Sequence, residues 1–173
     1  MEFYSFITVM ILGAIVTYGM YLTITTVADK VFEKQKFDIH HKNTEITLPL
    51  RLQAYERMCL FLERITPSNL LLRLAPSASN ALELQQILLH EIREEFNHNL
   101  AQQIYISNDA WGQIVNAMNE IVSVVNQAAA EIPSEAPASE LAKKIFAQVI
   151  QKEIQPTTHA LVFLKQEIQG VFK

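Results

Sequence analysis

The stretch FYSFITVMILGAIVTYGMYLTITTVA, from Phe3 to Ala28, carries no charged side chain. A helix rises about 1.5 Å per residue, so about 20 apolar residues cross the roughly 30 Å hydrocarbon core of a bilayer. The most apolar part, Phe6 to Ile24, is long enough for that crossing. Tyr4 lies near one end and Tyr18 and Tyr21 toward the other, as suits side chains with an apolar body and a polar tip at the two membrane interfaces. A cleaved signal peptide has a basic start, a shorter apolar run and small residues at its cleavage site. Here Glu2 is the only charged side chain ahead of the run, and Thr26-Val27-Ala28 is a poor cleavage sequence. Residues 1–28 therefore read as a retained transmembrane anchor whose partner, through Phe3 to Ala28, is the lipid bilayer.

No Lys or Arg precedes the span, whereas Lys30, Lys34, Lys36 and Lys42 follow it. Loops rich in Lys and Arg stay on the cytoplasmic side, and nearby acidic residues count for little. The expected orientation puts the C-terminal part in the cytosol. Gly13 and Thr17 stand four residues apart, a spacing that lets transmembrane helices approach closely, but one such pair carries little information.

Beyond the anchor, residues 29–46 read as a helical extension to about Phe37 and then a polar connector from Asp38 to Asn43. Residues 47–173 read as one helical domain. Thr47 resembles an N-cap with Pro49 in the first turn. Leu48, Leu52, Tyr55, Cys59 and Leu62 then recur at spacings of four and three, widened by Met58 and Ile65, as on a buried helix face. Pro67 ends that helix, and a short apolar piece, Leu70 to Leu74, precedes Pro76. A long helix is expected from Asn80 to about Ile106, with Leu84, Leu88, Ile92, Phe96 and Leu100 every four residues and Leu89 beside them. Ser107 or Asn108 starts the next helix. Its stripe is Trp111, Val115, Met118, Val122, Val125, Ala129 and Ile132, broadened by Ile114, Ile121 and Ala128. That width favours a bundle over a two-stranded coiled coil. Pro133 to Pro137 is a linker. Leu141, Ile145 and Val149 mark a further helix closed by Pro156, and Leu161, Leu164, Ile168 and Val171 a last one. The expected fold class is all-α: an N-terminal transmembrane helix followed by a helical-bundle-like domain of about five helices.

Composition narrows the function classes. The chain has 173 residues, a net charge of −4 and half its residues hydrophobic. With no basic surplus, nucleic acid is not an expected partner. Cys59 is the only cysteine, so no internal disulfide forms. There are four glycines, at 13, 19, 112 and 170, and two fall in the span. Phosphate-cradling loops need glycine, and the chain contains neither a P-loop, a dinucleotide fingerprint, G-x-S-x-G nor C-x-x-C. No catalytic residue and no cofactor is expected.

Four clusters and one tryptophan invite a functional reading. Glu91, Glu95 and His98 fall on one helical stripe, and Glu95 to His98 has the Glu-x-x-His spacing of di-iron carboxylate bundles. Such a centre needs a second copy, and none is found, so a salt-bridged helix edge is the plainer reading. Arg51, Arg57 and Arg64 lie off the apolar stripe, interleaved with Glu56 and Glu63. They are candidates for contact with an acidic partner or anionic headgroups, against the alternative of ion pairing within the fold. His40 and His41 are adjacent and read as exposed connector residues rather than metal ligands. His90 and Glu94 lie on the outer face of their helix. Trp111 fits core packing better than an interface anchor.

The segments LRLQAYER (Leu50–Arg57), FLERITP (Phe61–Pro67), LHEIREEF (Leu89–Phe96) and NLAQQIY (Asn99–Tyr105) resemble an uncharacterised family of single-pass, membrane-anchored helical proteins of Bacteroidetes-type bacteria. The resemblance covers the anchor and about the first two-thirds of the domain. It implies a bacterial inner membrane with the domain in the cytoplasm, and it carries over no activity and no catalytic residues. The leading expectation is a membrane-tethered interaction or scaffold module with a protein partner or self-association. The alternatives are a metal-binding or enzymatic bundle using Glu91, Glu95 and His98, and a bundle holding a lipid or other apolar ligand.

Overall fold

The structure, a computed structural model, describes residues 2–151 and 155–170, with the side chains of residues 2–6, 8–9, 32–33, 35–44 and 156 excepted. Among the described residues six α-helices follow one another: α1 (Glu2–Ile65), α2 (Pro67–Leu74), α3 (Ala81–Asn99), α4 (Asn108–Ala130), α5 (Ala138–Gln151) and α6 (Pro156–Gly170). Short 3₁₀ segments, Ala75–Ser77 and Leu100–Tyr105, flank α3. No strand forms among the described residues; the single bridge, between Asn80 and Pro137, is isolated. The fold is all-α. The described chain divides into two compact units, residues 1–48 and 49–173.

In the first unit, Met10–Val31 is a helical segment with mean hydropathy 1.6 and no buried residue, long and apolar enough to cross a membrane. Its threonine hydroxyls are satisfied locally. Thr17 donates to Gly13 O or Ala14 O, Thr23 to Gly19 O or Met20 O, Thr25 to Tyr21 O or Leu22 O, and Thr26 to Leu22 O. Such back-bonding removes the cost of placing a hydroxyl in hydrocarbon. The structure differs from the sequence expectation between residues 38 and 46, where α1 is helical throughout instead of breaking into a connector. Asp38 to Asn43 is polar but contains neither Gly nor Pro, and polarity alone does not end a helix. Thr47 is consequently inside the helix rather than its N-cap. Pro49 also lies inside, where its missing N–H removes one backbone hydrogen bond. The side chains of His40 and His41 lie outside the described residues.

The second unit is built around α4, which packs on α3, α5 and α6. Ser107 caps α4 by accepting from Ala110 N at 3.1 Å. Asn80 caps α3 by accepting from Glu83 N at 2.9 Å, and Glu83 reaches back to accept from Ser79 N at 2.7 Å. This reciprocal pair satisfies N–H groups that a helix start leaves without partners. The linker after α4 does the same job: Ala81 N donates to Ala136 O at 2.8 Å and Leu82 N to Ser134 O at 3.1 Å. The linker thus holds the start of α3.

The core faces are rotated from those the sequence suggests. On α1 the buried residues are Ala54, Tyr55, Met58, Phe61, Leu62 and Ile65, while Leu52 is exposed and Leu48 and Cys59 are half-buried. On α4 they are Ala110, Ile114, Ala117, Ile121, Val124, Val125 and Ala128. Trp111, Val115, Met118, Val122 and Ala129 form its half-buried flank, and Ile132, just past its end, is also half-buried. Three helices cover α4, so its apolar arc is wide and its centre lies one residue from the stripe read by spacing. Leu84, Leu88 and Ile92 of α3 are fully buried, but α3 stops at Asn99 and Leu100 is exposed. Phe61, Phe96 and Trp111 stack in series at centroid distances of 5.8 and 5.4 Å, joining α1, α3 and α4. Trp111 therefore belongs to the packing. The apolar gap among Leu70, Leu71, Leu88, Ile121, Val125 and Ile145 leaves no room for a water molecule, so at that point the core is closed.

Candidate functional site

The end of α1 and the beginning of α2 meet at Thr66-Pro67, where proline cannot continue α1's hydrogen bonding but suits the first turn of a new helix. Thr66 N still donates to Leu62 O at 3.1 Å, which tightens the corner. Leu70 and Leu71 turn inward, and Leu72 is left 82% exposed. Across the corner on α1, Leu60 is 56% exposed. Leu60, Glu63, Arg64, Asn69, Leu72 and Arg73 line an open groove of about 490 Å³, within the roughly 300–1,000 Å³ of natural binding clefts.

Behind this groove lies an ion-pair network. Arg64 reaches Glu95 through Nε at 3.3 Å and Glu91 through a terminal nitrogen at 3.6 Å. Arg73 donates to the same Glu91 oxygen. The hydrogen bond from Arg73 holds the Glu91 carboxyl below the usual carboxylate range, opposing the smaller upward push of burial. The network ties α1, α2 and α3 together. It also accounts for the Glu91–Glu95–His98 stripe: both carboxylates face arginines and His98 is exposed. Among the described residues no group of three or more His, Cys, Asp or Glu side chains comes together to hold a metal ion.

The three arginines singled out in the sequence have separate surroundings. Arg64 belongs to the groove and the network. Arg51 is half-buried and acts to lower the pKa of the Tyr55 hydroxyl, and Arg57 is exposed. Arg73, Leu60 and Leu72 were not distinguishable in the sequence as site residues. Arg73 joins Arg64 only because α2 folds back at Pro67, and an exposed leucine next to two buried ones looks like part of the same apolar run.

A second polar cluster sits where α1, α4 and α6 meet. Glu167 accepts from Tyr55 Oη and from Ser107 Oγ, the latter at 2.7 Å. Burial, then the bond to Glu167, pushes the Tyr55 hydroxyl above its ordinary value. Burial likewise raises the Cys59 thiol, which suppresses the reactive thiolate. At the far end of α4, Glu131 pairs with Lys144 and accepts from the buried Gln148 at 2.8 Å. These clusters fasten helices together.

No curated protein and no solved structure matches the chain. A family of unknown function (DUF7935) matches it over residues 1–171, and the chain belongs to that family.

Proposed function

We propose that this protein is a membrane-tethered interaction module: α1 anchors it in a bilayer, and the α1–α2 groove receives a protein partner. The observation that carries the reading is the groove itself, where Leu60 and Leu72 are exposed side by side with Arg64 and Arg73. Apolar side chains beside partly satisfied guanidiniums make a surface suited to another polypeptide. The closed gap in the core speaks for an outward-facing role rather than a buried ligand. The lysines after the span, Lys30, Lys34, Lys36 and Lys42, support a domain facing the cytoplasm from a bacterial inner membrane.

Cross-linking in native membranes, followed by affinity purification and mass spectrometry, tests the module. A stoichiometric partner lost on Leu72→Glu supports it; recovery of this chain alone, with wild type and variant indistinguishable, rejects it. Orientation is read separately by labelling single cysteines introduced into a Cys59→Ser background. Labelling of the domain in intact cells by a membrane-impermeant thiol reagent would refute the cytoplasmic placement.

A further inference from the structure

We infer that the α1–α2 groove takes an amphipathic helix of a partner protein that carries carboxylates beside its apolar face. This inference rests on the interaction reading above and names the chemistry of the partner. Three features of the groove lead to it.

Among the described residues Leu72 is the most exposed of the large apolar side chains, at 82%, and Leu60 lines the same hollow. Neither contributes to the core, so a polar residue at either position leaves the fold intact. The groove's charge is also uneven. Its lining holds two guanidiniums, Arg64 and Arg73, and one carboxylate, Glu63, a net charge of +1. The balancing carboxylates, Glu91 and Glu95, sit behind on α3 and do not line it. Their more enclosed side chains are 30% and 23% exposed, against 50% and 37% for Arg64 and Arg73. The arginines are thus the more exposed members of the network and the ones that line the groove. Finally, each guanidinium has five N–H donors, and Glu91 and Glu95 engage only part of each fork. The remaining donors suit a carboxylate in bidentate geometry. A groove lined by two exposed leucines and two guanidiniums fits a helix presenting apolar side chains at i, i+3 or i+4, and i+7, with Asp or Glu flanking them.

The test uses the full chain in native membranes with photoreactive benzoylphenylalanine in place of the exposed Asn69, inside the groove. The cross-linked peptide is then mapped by mass spectrometry. The expected product is a foreign helical segment with an Asp or Glu within one turn of the cross-linked apolar residue. Leu72→Glu should reduce its yield at least tenfold while leaving the thermal midpoint of the domain unchanged, and Arg73→Glu should reduce it as much while lowering the midpoint through loss of the bond to Glu91. Changing the partner's carboxylate to Lys should restore cross-linking to the Arg73→Glu chain. A foreign segment without carboxylates, or one bound equally well by Arg73→Glu, overturns the inference while leaving the interaction module standing. Cross-links confined to lipid or to a second copy, or none at all, overturn both.

Discussion

Ile121 and Val122 are neighbours on α4, yet their substitution should have very different consequences. Ile121 is 1% exposed at the centre of the buried face, whereas Val122 is half-buried on its flank. An aspartate at 121 has no water and no partner, a change that reaches the exceptional range above about 4 kcal/mol. At 122 the carboxylate can swing toward solvent, so Val122→Asp should cost about half as much or less. Urea unfolding of both variants measures the gap; equal losses would return the centre of the face to the stripe read from spacing. A second residue-level prediction concerns Glu91, whose carboxyl Arg73 holds below the usual range. For a carboxyl with a depressed folded pKa, the unfolded chain binds more protons in the window between the two values. Stability therefore rises with pH there. Its contribution is complete above the ordinary carboxylate pKa and is lost as pH falls through the depressed folded value. Glu91→Gln should flatten the acid limb of the stability curve, and an unchanged limb would mean that Glu91 titrates as it does in the unfolded chain. The sequence placed Glu91 and Glu95 on the edge of an apolar face, and it admitted a salt-bridged reading of them. It did not contain the identity of their partners, because Arg73 comes near only after the chain reverses at Pro67.

Helix boundaries were legible wherever a residue's own chemistry sets them. Asn80 and Ser107 are N-caps because their side-chain oxygens accept from backbone N–H groups three residues on, and Pro67 and Pro156 begin helices for lack of an N–H. What depends on neighbours was less legible. The 3₁₀ run from Leu100 to Tyr105 continues the apolar spacing of α3, so periodicity alone extends α3 to Ile106. The capping of α3 by Ser134 and Ala136 is a long-range contact with no local signal. Glu167 is a further case, a charged residue near the end of the chain that fastens α6 to both Tyr55 of α1 and Ser107 of α4. Glutamine at 167 keeps the shape but offers one neutral acceptor where the carboxylate offers two charged ones, a loss of roughly 1–3 kcal/mol. Since Ser107 also caps α4, Glu167→Gln should speed amide hydrogen exchange in α6 and in the first turn of α4 before it affects α3. Uniform acceleration across α3, α4 and α6 would show that Glu167 contributes to global stability alone and does not latch one element.

Across the whole chain, two kinds of sequence meet inside a single helix. Up to Leu48, α1 belongs to a unit of its own; from Ala54 on, its residues are in the core of the second unit. The second unit has a continuous apolar core from Ala54 to Leu164, drawn from all six helices. A domain of this size is large enough to bury a stable core without disulfides or metals. The boundary at Leu48/Pro49 is also chemically favourable for a new start. Proline is well tolerated in the first turn of a helix, where its missing N–H would have no intrahelical partner anyway. A chain beginning at Pro49 should therefore be soluble without detergent and unfold in one cooperative transition. Its midpoint should match that of the domain transition in the full-length protein in micelles. The full-length chain should partition into membranes and stay there at alkaline pH. Met20→Arg, at an exposed position inside the apolar segment, should weaken insertion by about 2.5–3.5 kcal/mol without moving the domain's midpoint. Should the 49–173 chain instead fail to unfold cooperatively, the domain needs residues 1–48 for its stability, and that segment is then part of the fold.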